Sequence, residues 1–348
     1  MPRTCLKTAL LLGGLALSLL AACRPAPETL VLEGRTMGTG FQVRLARPVP
    51  DPDALHQAIE AELAAIDRQM STWRDDSEIA RFNRARDSGW HPISPAFATV
   101  LRRARELSET TGGALDVTLR PLARAWGFQG EGPPRVPPPD LIDDLRAHAG
   151  MAMLELAPSG DALRKLDPAL ELDVSALAKG YAVDRLAARV AAAGGQDFLV
   201  AIGGEVRAAG ERPGGGPWRI GVERVSGPER TGRGEEAAVD SMPALLLRDE
   251  AVASSGDYRN YFLVDGERYA HVLDPATGRP AAFGVAVATV VAPDAITADA
   301  LATAFMAMPP DRSLALADEL GVALRLALRG ADGPTVRIND AFRARQAP

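Results

Sequence analysis

Cysteine is almost missing from this 348-residue chain: there are two, Cys5 and Cys23, both within the first two dozen residues. The rest of the chain therefore has no disulfide framework and no thiolate metal cluster. Histidine is scarce as well. The four histidines, His56, His91, His148 and His271, show no His-x-His or His-Glu-x-x-His spacing, which argues against a zinc hydrolase. Neither a Gly-x-Ser-x-Gly elbow nor a Walker loop occurs, so the usual serine nucleophile and the usual phosphate loop are absent. Positive charge is not in excess. Lys and Arg number 39 against 45 Asp and Glu, a formal charge of −6, which argues against nucleic acid as the partner. What is present is ordinary for a globular chain: 47% apolar and 24% charged residues rule out disorder over most of the length.

The amino terminus is organised differently from the rest. Arg3 and Lys7 precede an uncharged stretch, Thr8 to Leu20, too short to span a bilayer, which takes ~20 apolar residues. That pattern is a secretory signal peptide over residues 1–22. It ends in Leu20-Ala21-Ala22-Cys23, which resembles the lipobox of bacterial lipoproteins, so Cys23 is the expected lipidation site and Cys5 leaves with the leader. An ordinary cleavage site with an incidental cysteine is the simpler alternative. Loss of Arg3 and Lys7 takes the mature chain to a formal charge of −8. Residues 23–28 then read as a lipidated cysteine with a short Pro-rich spacer, and the expected location is outside the cytoplasm, lipid-anchored to a bacterial membrane and facing the periplasm.

From Thr29 onward the sequence predicts one domain, 29–348. Leu55, Ile59, Leu63 and Ile66 recur at helical spacing in Ala54 to Met70. Ser94 and Pro95 form a cap and first turn for a second helix to about Glu109, closed by Gly112-Gly113. Further helices are expected over Tyr181 to Ala193 and Ala298 to Met308. Between them lie many short strand-like runs, among them Phe41 to Leu45, Phe198 to Ile202, Ala251 to Ser254, Val285 to Val291 and Leu324 to Leu328. Strands often follow one another with no helix between, so the expected class is α+β with a mainly antiparallel sheet. Gln129 to Asp140 and Val225 to Asp240 read as exposed loops.

The chemistry-bearing residues gather in clusters of Gly, Asp, Ser and Thr, suited to a phosphate-rich ligand and a hard cation. In Thr297 to Thr303 a helix begins, with Thr297 as the candidate cap. Asp299 and Thr303 stand four apart on one helical face, where a carboxylate and a hydroxyl can bind Mg²⁺ or its water; an amphipathic helix with an acidic first turn accounts for the same spacing. In Asp173 to Tyr181 small residues lead to Lys179-Gly180, either a phosphate cradle or a tight strand-to-helix connection with a surface lysine. His271 precedes the turn residues Asp274-Pro275 and Thr277-Gly278, a position for a general base or for a structural strand-end histidine. Met37 and Trp73 lie beside polar turns, as partners of a flat aromatic ligand or as core.

Taken in chain order, these clusters resemble the FAD:protein FMN transferase (ApbE-like) family. The motifs are Met37-Gly38-Thr39, Ser71-Thr72-Trp73, Gly113-Ala114-Leu115-Asp116-Val117, Ala178-Lys179-Gly180-Tyr181-Ala182, Gly203-Gly204-Glu205, His271-x-x-Asp274-Pro275-x-Thr277-Gly278 and Thr297-Ala298-Asp299-Ala300. The resemblance implies a T-fold-like antiparallel sheet with packed helices. It also implies Mg²⁺-dependent transfer of FMN from FAD to a Thr or Ser hydroxyl of an acceptor protein, with release of AMP. By motif, Met37, Trp73, Ala114, Leu115, Asp116, Asp173, Lys179 and Val272 are expected to line the FAD site. Asp299, Thr303 and the carbonyl of Ala176 are expected to hold Mg²⁺, and His271 to act as the base. Acceptors of the Na-pumping quinone reductase or Rnf type follow from the same resemblance. Trp73 stands where the family commonly has Tyr, and Ser175-Ala176 where it often has Gly-Gly. Two other readings keep the same site: an FAD pyrophosphatase, with water in place of the acceptor hydroxyl, and a lipoprotein that binds flavin without turnover.

Overall fold

The computed structural model describes residues 29–130, 132–222, 243–258, 260–330 and 333–348. The leader, Cys23 and spacer expected over residues 1–28, and the loop expected over 225–240, lie outside the described residues. Among the described residues no helix is long and apolar enough to cross a membrane.

An eight-stranded sheet forms the body. Its strands are β1 (Leu30–Thr36), β2 (Thr39–Leu45), β3 (Phe198–Ile202), β4 (Glu205–Ala209), β5 (Ala251–Gly256), β6 (Val285–Ala292), β7 (Ala323–Leu328) and β8 (Thr335–Ile338). They lie side by side in chain order, every neighbour antiparallel. The α+β class with a mainly antiparallel sheet is thus what the chain builds. In β6 all eight residues are buried, because this strand is covered on both faces. One side of each inner strand feeds the main core beneath the helices. From β3 to β7 the other side packs on a smaller core formed by the hairpin Trp218–Ile220 and Leu245–Leu247 together with Phe342.

Four helices match the periodic stretches: α1 (Pro52–Met70), α2 (Pro95–Thr110), α3 (Ser175–Ala192) and α4 (Ala295–Met306). Leu55, Ile59, Leu63 and Ile66 are buried on the inner face of α1, and Ser94 caps α2 by accepting from the Phe97 N–H. Two starts differ from expectation. α3 begins at Ser175, not Tyr181, so Ala176, Lys179 and Gly180 lie in its first turns rather than in a preceding loop. α4 begins at Ala295 with Asp294 as its cap; Thr297 is already helical and donates its N–H to Asp294 Oδ1 at 2.9 Å. Nor is α4 amphipathic with an acidic first turn. Asp299 is buried along with almost every other residue of the helix, because α4 is sandwiched between α3 and strands β5 and β6.

Gly180 explains why α3 carries a helix-disfavouring residue. A Cβ built there would lie 2.3 Å from the Ala295 carbonyl oxygen, so only glycine allows α3 and the start of α4 to meet this closely. One turn later on the same face, Asp184 accepts the otherwise orphan N–H groups of Ala295 and Ile296 at 3.0 and 2.9 Å. The two helices are thereby pinned at the point where the site residues sit.

Candidate active site

One cavity of about 770 Å³ opens where the first turns of α3, the middle of α4 and the ends of β4 and β5 converge. The structure brings all twelve residues expected for FAD, Mg²⁺ and base catalysis to its walls: Met37, Trp73, Ala114, Leu115, Asp116, Asp173, Ala176, Lys179, His271, Val272, Asp299 and Thr303. That size suits a dinucleotide-sized ligand.

The deepest corner is built by α3 and α4. Asp299, 3% exposed, accepts from the Gly180 N–H through Oδ2 at 2.9 Å. In an α-helix that N–H belongs to the carbonyl four residues earlier, which is Ala176. The carboxylate thus draws on the very donor that would otherwise occupy the Ala176 carbonyl. Lys179 is ion-paired with Glu205 and stands 3.8 Å from Asp299 Oδ1. Burial pushes the Asp299 carboxyl up to about 7, the Glu205 charge adding to the rise and the Lys179 ammonium opposing it. Glu205 Oε2 is buried and has no hydrogen-bond partner among the described residues. Thr303, one turn beyond Asp299, shares a hydrogen bond with the Ser255 hydroxyl at 3.0 Å.

Among the described residues no three or more His, Cys, Asp or Glu side chains cluster as a metal cage. The corner instead offers a carboxylate, a hydroxyl and a helix carbonyl, with the orphaned oxygen of Glu205 nearby. That all-oxygen set, short of a full shell, fits Mg²⁺, which takes one or two protein carboxylates and completes its shell with water and substrate phosphate.

His271 follows the strand Glu267–Ala270. Its Nδ1 lies 3.2 Å from the Asn260 carbonyl oxygen, which can only accept, so Nδ1 carries the proton and Nε2 keeps its lone pair. Burial lowers its pKa, against smaller opposing effects of that carbonyl and of Asp257. The imidazole is therefore neutral near pH 7, as a proton acceptor must be.

Another stretch of the cavity wall suits a flat ring. Met37 and Gly38 form the two-residue turn between β1 and β2, both with positive φ, 47° and 74°, a hairpin geometry that glycine adopts freely and methionine adopts under strain. Trp73 is 81% exposed, its indole face open at the cavity mouth. Asp116 accepts from the Thr118 N–H and hydroxyl at 2.8 and 2.6 Å, and Asp173 accepts from Ser175 N–H and from Gln129. These bonds fix the two carboxylates in place.

Some contacts of the wall residues carry no signal in the sequence. Arg120 donates to Gln129 at 2.8 Å and lies 3.5 Å from Glu171, a buried carboxylate that also meets Arg86 and Arg124. Nothing in the spacing around Glu171 marks that convergence, since its partners come from distant segments. Glu205 stood in a recognisable Gly-Gly-Glu turn, yet its pairing with Lys179 depends on α3 starting at Ser175. Ser255 belongs to the small-residue run Ser254-Ser255-Gly256, and its bond to Thr303 comes from β5 running alongside α4.

The chain matches the model of the ApbE family over residues 37–326. It is 38% identical to the FAD:protein FMN transferase of Vibrio cholerae, over 91% of this chain and 93% of that protein. Its identity to the FAD:protein FMN transferase of Haemophilus influenzae is 37%, over 94% of each. Among solved structures, the apo form of the Pseudomonas stutzeri flavinyl transferase superposes with a TM-score of 0.83 at 35% identity, covering 94% of this chain and 99% of that one. The ApbE protein of Thermotoga maritima gives 0.80 at 28% identity, covering 92% and 100%.

Proposed function

The chain belongs to the ApbE family, and from that premise we propose that its cavity holds FAD with the pyrophosphate against Asp299, Thr303, Ala176 and Lys179. The enzyme is an FAD:protein FMN transferase, moving FMN from FAD to an acceptor protein. The observation that carries the site assignment is the convergence of all twelve expected residues, drawn from segments between Met37 and Thr303, on one cavity.

Asp299, Thr303 and the Ala176 carbonyl are the residues that would hold Mg²⁺. Held there, it would supply positive charge against the two phosphates and so favour AMP as the leaving group. Lys179 adds a positive charge at the same phosphates, replacing solvent. His271 Nε2 takes the proton from the acceptor Thr or Ser hydroxyl, its tautomer fixed by the Asn260 carbonyl. The hydroxyl oxygen forms a bond to the phosphorus of the FMN half. The bond from that phosphorus to the bridging oxygen breaks, AMP leaves with the electron pair, and the proton on His271 passes on to AMP or solvent. No nucleophile on the enzyme is needed, consistent with the missing serine elbow. Trp73 and Met37 flank a ring of the substrate, and Ala114, Leu115, Asp116, Asp173 and Val272 shape the walls.

Export, lipidation at Cys23 and a periplasmic face are part of the same proposal, supported by the leader sequence and by the absence of any other cysteine beyond it. Electron-transfer subunits of the Na-pumping quinone reductase or Rnf type are the acceptors it favours. The test incubates the chain with FAD, Mg²⁺ and such a subunit, and looks for flavin fluorescence that stays with the acceptor on a denaturing gel. Free FMN and AMP without labelled acceptor would establish the pyrophosphatase instead, and FAD bound but unchanged would establish a carrier.

A further inference from the structure

His271 is carried by a hairpin outside the eight-stranded sheet. Among the described residues its strands, Tyr261–Val264 and Glu267–Ala270, pair only with each other. The His271 N–H closes the base of the hairpin by donating to the Asn260 carbonyl at 3.1 Å, the same oxygen that lies 3.2 Å from Nδ1 of its ring. Where the imidazole stands in the cavity therefore depends on what ties this hairpin to the body. One tie is aromatic: Phe262 and Tyr269 lie against Phe128 and Trp126, with ring centroids 5.5 and 5.4 Å apart.

The other tie is ionic and centres on Asp257, which directly follows β5 and is 6% exposed. Its N–H extends the ladder to the Ala286 carbonyl of β6 at 3.0 Å, so its backbone belongs to the sheet. Its carbonyl accepts from Arg268 Nη2 at 3.0 Å. Arg268 stands opposite Leu263 in the hairpin, with its guanidinium 3.4 Å from the centroid of the Tyr261 ring, and so grips both strands. The Asp257 carboxylate takes both arms of Arg329, Nη1 on Oδ2 and Nη2 on Oδ1 at 2.6 Å, and lies 3.7 Å from Arg268 Nε. Arg329 follows β7 and is itself fixed by its N–H bond to the Gly284 carbonyl at 2.9 Å. Burying such a pair stabilises a fold no more than apolar contacts of the same size would. What it adds is a fixed charge, and that charge reaches His271: the carboxylate favours the imidazolium, against the burial that lowers its pKa. Arg329 and Arg268 hold that influence in check. Of the other charged groups around the ring, Asp274 is engaged by the Ala276 N–H and the Thr277 hydroxyl, and Lys179 and Glu205 neutralise each other.

We propose that Asp257 is a positioning residue for the base: clamped to the sheet by Arg329 and joined to the hairpin through Arg268, it fixes the place of the His271 imidazole and adjusts its proton affinity. The inference rests on the reading of His271 as the base. Asp257, Arg268 and Arg329 are absent from the cavity wall, so they act through His271 rather than on the flavin nucleotide. Two demands on a base are met by one cluster. The ring is held still by the bonds to the Asp257 backbone and carboxylate, and it keeps enough proton affinity to accept from a hydroxyl while remaining neutral.

The test titrates the His271 ring by NMR in the intact chain, with His271→Ala supplying the assignment. In parallel it follows labelling of the acceptor subunit with FAD at saturating Mg²⁺, which keeps Asp299 ionised across the profile. A carboxylate beside an imidazole favours the charged ring. Asp257→Asn should therefore lower the ring pKa, and Arg329→Gln, which bares the carboxylate, should raise it; the acid limb of kcat should move in the same two directions. In both variants kcat should fall about tenfold with FAD affinity unchanged. The double variant should titrate like Asp257→Asn alone, because the arginine acts through the carboxylate. Arg329→Lys keeps the charge and should titrate like wild type, so that if Asp257→Asn fails to fold, Arg329→Gln against Arg329→Lys still gives the sign. A ring pKa that does not move, shifts of the same sign in the two single variants, or FAD affinity lost in step with kcat would overturn the positioning role and leave the base reading intact. Full acceptor labelling by His271→Ala would instead overturn the base reading, whatever the ring titrations show.

Discussion

Replacing Gly180 by alanine sets two effects of known size against each other. In an exposed helix the change would stabilise by roughly 0.5–1 kcal/mol, because glycine pays more backbone entropy on folding. Here the new methyl would sit 2.3 Å from the Ala295 carbonyl oxygen and 2.7 Å from Ile296 Cα. Both are backbone atoms, and Asp184 holds that backbone by two hydrogen bonds, so neither can swing aside. Restoring ordinary contact requires α3 and α4 to part by about 1 Å, and overpacking of this kind costs about 1–3 kcal/mol. The clash wins, and Gly180→Ala is expected to lower the urea midpoint. The same displacement lengthens the Gly180 to Asp299 bond and moves Asp299 relative to Lys179. A shift of about 1 Å in a group that positions substrate can cost about 100-fold in rate. Two assays report the outcome: urea unfolding followed by tryptophan fluorescence, and AMP release as a function of Mg²⁺ concentration. Higher stability than wild type would show that the helices do not approach as described. Lower stability with an unchanged Mg²⁺ titration would show that their spacing does not set the metal corner.

Asp299→Asn should reduce Mg²⁺-dependent AMP release on the order of 100-fold while leaving the fold intact; full activity would remove Asp299 from the metal site. The pH dependence of stability has a definite sign. Burial raises the folded carboxyl from 3.8 to about 7, so its contribution is complete below the unfolded value and is lost as the pH rises through 7. Metal-free protein should therefore lose melting temperature between pH 4 and 7 by an amount missing from Asp299→Asn, and equal slopes for the two proteins would refute the assignment. Trp73→Ala should weaken FAD binding about fivefold with no change in unfolding midpoint, since the ring stacks on ligand yet is 81% exposed; a large loss of stability would place the ring in the fold instead. Glu171→Gln should destabilise by about 1–3 kcal/mol, because it removes the charge that Arg86, Arg120 and Arg124 share, two of these arginines being largely solvated, and an unchanged urea midpoint would contradict that cluster.

The legible parts of the chain were those whose cause is local. Leu55, Ile59, Leu63 and Ile66 mark α1 because one helix face meets one core, and Ser94-Pro95 marks α2 because its cap lies in the next turn. The start of α3 differs from the sequence expectation for a nonlocal reason. Gly180 reads as a helix boundary, whereas it is a contact point with Ala295 in a segment far along the chain. Thr297 reads as the cap of α4 in the sequence although Asp294 performs it, since both residue types are good caps and only the backbone distinguishes them. Strand β4, with the sequence Glu-Val-Arg-Ala-Ala, lacks the alternation that would have announced it. The site was readable as ordered motifs, residue by residue. The pairing of Glu205 with Lys179 is not, because it joins the start of β4 to the first turns of α3, segments that meet only in the fold.

The seam between β2 and β3 joins residues 41–45 to residues 198–202, although the strands lie in chain order. The first hairpin must therefore wait while α1, α2 and α3 are produced before its inner edge finds a partner. Closing so long a loop is slow, and until it closes β2 presents an unpaired edge to any other chain. Refolding is thus expected to proceed late at this seam and to lose yield with rising protein concentration.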